Sequence, residues 1–129
     1  MAEPRKPRLR FRPEDRLRKT WEFRRVQGQG RKVHTPHFLI IVFPGPHSTT
    51  SIRSRLGITV TRKVSPLAVK RNRVKRVVRE VFRRNRELFP DGYDVVVIAR
   101  RGSPALGYDE ALGEMRDASR ALLKVRPAR

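Results

Sequence analysis

The chain of 129 residues contains no cysteine, so neither a disulfide framework nor a thiolate metal site can be built from it. A reducing cytoplasm suits that composition. Acidic residues are scarce, with 12 Asp and Glu against 32 Lys and Arg. No apolar run approaches the ~20 residues that span a bilayer. The basic N-terminus, MAEPRKPRLR, is followed by no apolar segment, so it does not read as a secretory signal. There is no Gly-rich phosphate loop, and no Ser, His and Asp fall into a recognisable catalytic context. No protein active site is evident.

What the chain does have is positive charge, a formal net +20. A surplus that large opposes a compact fold through self-repulsion. A densely anionic partner would relieve it, with nucleic acid the first candidate and an anionic membrane surface the second. Most of the cations are arginine, whose planar fork pairs bidentately with phosphate. A GC-rich coding sequence gives the same bias. The length and an apolar fraction of 37% suit one domain with a modest core.

Residues 1–12 alternate Pro with Arg and Lys and are expected to form a disordered basic arm, leaving 13–126 as a single RNA-binding domain. A first helix is predicted from Pro13–Asp15 through RLRKTWEFRRVQ to Gly28–Gly30, with Leu17, Trp21, Phe23 and Val26 as its apolar positions. HFLIIVF (37–43) reads as a buried strand ended by Pro44-Gly45-Pro46, and GPHSTTSIRS as a loop. In RLGITVTRKV (55–64) Leu56, Ile58 and Val60 alternate with Gly57, Thr59, Thr61 and Lys63, the pattern of a strand with one core face. Ser65-Pro66 resembles an N-cap and first helical position, and the helix that follows stops at Pro90-Asp91-Gly92. YDVVVIAR (93–100) is a second buried strand. A last helix is predicted over 109–124, with Leu112, Met115, Ala118, Leu122 and Leu123 inward. The expected class is α+β, a small sheet packed by helices in two layers, in the order α-β-β-α-β-α.

The segment AVKRNRVKRVVREVFRRNRELFP (68–90) carries nine Lys and Arg against two Glu. At 100° per residue Val74, Val77, Val78, Val81, Phe82 and Leu88 share one arc, which excludes a disordered tail. Asn72, Arg76, Arg79 and Arg83 form a second stripe almost opposite, flanked by Lys75 and Arg86. A merely solvated face would mix signs, because like charges repel at helical spacing. A single-sign array of forks with one Asn suits phosphates and directional hydrogen bonds of a shaped RNA site.

Other constellations read as structural. His34 and His37 have a metal-like spacing, but Pro36 intervenes and no third ligand is evident, so an ordinary loop is expected. His47 has no nameable partner. Asp91 fits a turn with Gly92, and Asp94 the start of a strand. Glu80 and Glu87 tether arginines. Trp21 and Phe23 are two apart on one helix, so they point about 200° apart. One reading packs Trp21 and leaves Phe23 half exposed; a sharper one turns Phe23 into a cleft to stack on a nucleotide.

RLGITVTRKVSPLAVKRNRVKRVVREVFR resembles the signature of the bacterial ribonuclease P protein component, through Arg71-Asn72-Arg73, Lys75-Arg76 and Arg79-Glu80. RLRKTWEF, HFLIIVF and YDVVVIAR match the flanking elements in order, so the resemblance spans residues 16–123. It implies a small subunit of a ribonucleoprotein whose large RNA, with bound Mg²⁺, removes the 5′ leader of precursor tRNA. No metal or cofactor is then expected on the protein alone. It implies that Arg71, Asn72, Arg73, Lys75, Arg76 and Arg79 bind the catalytic RNA, with Arg83 on the same face. It further implies a leader-binding cleft between the first helix and the sheet, carrying Phe23, Ile41, Thr59, Thr61, Arg62 and Lys63. Gln27 and Ile41 stand where family members often carry aromatics. Since stacking is worth ~1–3 kcal/mol per base, leader contact here would lean on backbone electrostatics. The implied fold is like domain 2 of ribosomal protein S5, with a left-handed β-α-β crossover where ~98% of such connections are right-handed.

Two other readings share the composition. A ribosomal protein would have the same basic charge, Arg-Pro arm and small fold. A protein-only nuclease would need clustered carboxylates, and none are seen.

Overall fold

The computed structural model describes residues 16–44, 54–89 and 92–124. The predicted arm at 1–12, helix start at 13–15, loop at 45–53, Pro90-Asp91 stop and Leu123 side chain lie outside the described residues. The strands are β1 Arg31–His34, β2 Phe38–Pro44, β3 Arg55–Thr59 and β4 Tyr93–Ala99. The helices are α1 Thr20–Gln29, α2 Ala68–Arg84 and α3 Tyr108–Lys124. The four strands form one sheet in the order β1-β2-β4-β3. β2 lies antiparallel to both β1 and β4, and β3 runs parallel to β4. The class is α+β, as expected.

The two central strands read as unbroken apolar runs because both of their faces are covered. Ile40, Val42, Val95 and Val97 meet Val74, Val78, Val81 and Phe82 of α2 and Ala111, Met115, Ala118 and Leu122 of α3. Ile41 and Val96 turn the other way, onto Leu17 and Val26. α1 therefore covers the face of the sheet opposite α2 and α3. It sits close: a Cβ on Gly30 would stand 2.6 Å from the carbonyl oxygens of Val26 and Val42, so only glycine lets α1 turn directly into β1.

Several boundaries differ from expectation. α1 begins at Thr20, not near residue 14, because Arg16 bridges in parallel to Leu56 and the Leu17 N–H donates to Leu56 O at 2.9 Å. That pairing holds 16–17 extended beside β3. Glu22, at the third helical position, accepts the N–H groups of Arg18 and Lys19 at 3.0 and 3.1 Å and so defines the helix start. Trp21 is exposed while Glu22 and Val26 take the inner face. β1 is a strand the reading lacked, since RKVH is short and basic and gains its structure only by pairing with Leu39–Val42. Charged residues suit an edge strand. β3 ends at Thr59, and 61–65 form a turn closed by the Val64 N–H on Thr61 O at 3.0 Å. Ser65 does not cap α2 from the cap position. That residue is Leu67, whose N–H donates to Ser65 Oγ at 3.3 Å. α2 stops at Arg84 because the Asn85 amide donates to Val81 O and to the Tyr108 hydroxyl. Leu88 is thus buried from the short 3₁₀ turn Arg86–Leu88, not from the helix.

Two polar networks tie the layers. Asp94, 1% exposed, accepts the Arg55 fork through Nε and Nη2, both at 2.9 Å, and Arg25 Nη2 at 3.2 Å. Arg55 Nη1 continues to Glu22 at 3.1 Å. The hydrogen bond to Asp94 pushes the Arg55 pKa up. Burial would raise that of Glu22, but the Arg18 and Lys19 amides and the Arg55 charge outweigh it and hold it low. On the other side, Glu114 of α3 accepts the Thr35 hydroxyl at 2.6 Å and the His37 N–H at 2.9 Å, and its second oxygen meets His37 Nδ1 at 2.6 Å. Burial again acts upward and these bonds prevail, so the Glu114 pKa lies below its ordinary 4.5.

Breaking a buried pair leaves an uncompensated charge, so Asp94→Asn is expected to cost about 3 kcal/mol of stability in urea unfolding. Glu114 is depressed in the folded state. Its contribution is full above pH 4.5 and is lost as pH falls through the lower folded value. Glu114→Gln should therefore flatten the loss of stability below pH 4.5, read as thermal midpoint against pH.

Candidate nucleic-acid interface

α2 forms because its apolar stripe has a sheet to cover, and that fixes which way its cations point. Val74, Val78, Val81 and Phe82 are buried, and Val77 is partly so. The polar residues between them divide into two sets. Arg71 donates from Nη1 to the carbonyl oxygens of Ser65 and Pro66, both at 3.0 Å, closing the turn that leads into the helix. Arg73 reaches Pro104 O at 3.1 Å and Leu106 O at 3.2 Å, tying α2 to the segment before α3. Arg83 pairs with Glu80 one turn earlier. The side chains of Asn72, Lys75, Arg76 and Arg79 have no hydrogen-bond or acidic partner among the described residues. Asn72, Arg76 and Arg79 follow steps of four and three, so they occupy one face.

That face runs into a groove of about 300 Å³ on the outer edge of β3. Its walls are Arg16, Leu17 and Arg18 with Phe23 of α1 on one side, and Lys75 and Arg79 of α2 on the other. Leu56, Gly57 and Ile58 form the floor. Phe23 lies against the bare Cα of Gly57, where a Cβ would fall 2.5 Å from the ring. The glycine thus seats the ring, and Phe23 stays half exposed. Among the described residues no carboxylate lines the groove. Burial and the nearby Arg16 guanidinium push the Arg79 pKa down from its usual value. Like charges are crowded and partly desolvated there, and an incoming phosphate would supply the opposite charge that offsets both effects on the guanidinium.

The structure therefore brings together Phe23, Lys75 and Arg79, which the sequence reading had divided between a cleft and a helix face. Thr59 is half-buried at the end of β3, and Thr61, Arg62 and Lys63 sit exposed in the turn just beyond it. Ile41 must be set apart from them. It is 1% exposed, packed beneath α1 with Leu17, Val26 and Val96, and cannot line an open cleft. Its alternation in β2 points it at α1, whose close approach at Gly30 seals it. Gln27 stays half-buried on α1. Arg16, Arg18 and Gly57 were not singled out as site residues. The only available signal was the alternation Arg16-Leu17-Arg18, which is that of extended chain rather than of helix.

Among the described residues no three of His, Asp or Glu come together. Glu22 and Asp94 are both committed to Arg55. His34 and His37 are engaged separately, with Arg100 and Glu114.

Known proteins share this fold and much of this sequence. The family model for ribonuclease P matches residues 11–123. The ribonuclease P protein component of Desulfovibrio desulfuricans is 41% identical over 102 residues, covering 78% of this chain and 76% of the relative. That of Syntrophus aciditrophicus is 34% identical over 108 residues, covering 84% and 87%. The solved RNase P protein from Thermotoga maritima superposes with a TM-score of 0.70 at 29% identity, over 87% of this chain and 98% of that one. A basic helix, a groove walled by an aromatic and cations, and a sequence match over nearly the whole chain converge, and the chain belongs to the ribonuclease P protein family.

Proposed function

We propose that this chain is the non-catalytic protein subunit of a ribonuclease P whose catalyst is RNA, acting in the cytoplasm on precursor tRNA. The observation that carries the reading is the basic groove in which Phe23 faces Lys75 and Arg79, continuous with the outward face of α2. The face of Asn72, Arg76 and Arg79 docks on the catalytic RNA, and phosphates of that RNA occupy the forks. The groove takes the single-stranded 5′ leader, with one base stacked on Phe23 and backbone phosphates on Arg16, Arg18 and Lys75. Arg62 and Lys63 extend the positive track past β3. Arg71 and Arg73 spend part of their donors within the protein and hold α2 in place while it binds. Mg²⁺ is held by the RNA, where it supplies the hydrolytic chemistry; the protein contributes charge neutralisation and substrate positioning. Family membership favours this reading over a ribosomal protein, and the dispersed acids favour it over a nuclease made of protein alone.

The deciding experiment mixes the purified chain with its cognate catalytic RNA at near-physiological Mg²⁺ and follows removal of a 5′ leader. Efficient cleavage by the mixture, and by neither component alone, is expected. Cleavage that is indifferent to the protein, with no binding to the RNA, would overturn the proposal. Each phosphate contact adds roughly 0.7–0.9 to the slope of log affinity against log salt. The double variant Arg76→Ala, Arg79→Ala should therefore bind the RNA more weakly and with a slope shallower by roughly 1.4–1.8. An unchanged slope removes that face from the interface.

A further inference from the structure

Trp21 is the chain's one tryptophan, and it is 55% exposed. The inner positions of α1 belong to Glu22 and Val26, so burial does not fix the indole. Another contact does. The Arg25 guanidinium carbon, one turn on, lies 5.7 Å from the centre of the Trp21 ring and 5.4 Å from that of Phe43. Arg25 is itself held, because Nη2 donates to the buried Asp94 at 3.2 Å. Its Nε is shielded from solvent without a hydrogen-bond partner among the described residues, and the carboxylate and the two rings are what hold the group in place. Cation–π contact of this kind attracts a ring to the guanidinium. The indole is thus kept in one place with much of its surface open to solvent.

A fixed, open aromatic ring among cations is the feature on which unpaired bases stack. Arg24, at the next helical neighbour position, is exposed and able to meet a phosphate. A lone ring on a surface of net charge +20 suits a polyanion with π faces better than an apolar protein partner, which needs a far larger patch. We propose that Trp21 is a second stacking platform, taking one unpaired base of a single-stranded RNA on the side of α1 turned away from the groove. It rests on the RNA-binding reading above. Trp21 and Phe23 point about 200° apart around the helix, so the two rings serve different nucleotides. A strand engaging both can cross the outward face of α1, where exposed Arg24 lies between the two rings.

Because no other tryptophan exists in the chain, its emission reports on this site alone. The full chain would be titrated with an oligoadenylate of about ten nucleotides and, in parallel, with inorganic polyphosphate of matched charge. Affinities would be measured for the wild type, Trp21→Phe and Trp21→Ala. Quenching by the oligonucleotide but not by polyphosphate is expected. So is a loss of about 5-fold or more in oligonucleotide affinity for Trp21→Ala, largely restored by Trp21→Phe. Equal quenching by both ligands, or an unchanged affinity in Trp21→Ala, overturns the platform while leaving the groove and α2 untouched. A wild-type chain that binds no oligonucleotide overturns the platform and the single-strand part of the RNA reading together.

Discussion

Asp94 holds two guanidinium groups at the point where α1, β3 and β4 meet, and the rest of the site follows from that junction. The chain has few acids, and it places this one almost out of water. Arg55 answers it with a two-pronged fork and passes the contact on to Glu22, which in turn fixes where α1 begins. A buried ion pair is poor evidence of added stability, since desolvation offsets much of its attraction. Its effect here is geometric. It sets the height and rotation of α1 over the sheet, and so places Phe23 on Gly57 at the groove wall. Arg25 extends the same junction to the outer side of α1.

The cations of α2 do not act as one undifferentiated charge. Arg71 and Arg73 reach backbone carbonyls of the segments that lead into α2 and α3, and Arg83 is balanced by Glu80. These contacts make a rigid mount. Asn72, Lys75, Arg76 and Arg79 project from it without internal partners among the described residues. Their mutual repulsion is tolerated because Val74, Val78 and Val81 anchor the opposite side in the core. Binding to a polyanion then costs little reorganisation of the helix, which is how preorganised sites gain affinity.

Much of this was legible in the chain itself, wherever the signal was local. The α2 stripe announces itself at 3.6-residue spacing, and β2 and β4 as apolar runs. The alternation of Leu56 and Ile58 with Gly57 was correct through Thr59. What escaped reading depends on contacts between distant segments. β1 is a strand only because Val42 and its neighbours offer partners. The inward side of α1 was misread because hydrophobicity favours Trp21 over Glu22. Arg55, 33 residues further on, neutralises the acid and reverses that preference. The same distance hides Asp94, whose partners stand 39 and 69 residues away. Ile41 could be placed in β2 from sequence, but not beneath α1, whose start was set too early.

The position of the groove on the rim of the sheet has a consequence for how copies of this protein behave toward one another. A strand with an unpaired side invites a second molecule to add to it, and such pairing seeds aggregation. On one rim, Arg31 and Lys32 discourage that approach. On the other, Arg16 and Leu17 cover the beginning of β3, and the remaining length lies under converging positive charges. Two such rims repel one another at low ionic strength, so charge that suits a polyanion also keeps free copies apart. Salt weakens that protection along with the attraction, because both are screened over the same distance. Colloidal stability and attraction for polyanions are therefore coupled properties of a single edge, and relieving the charge crowding there by substitution exchanges one against the other.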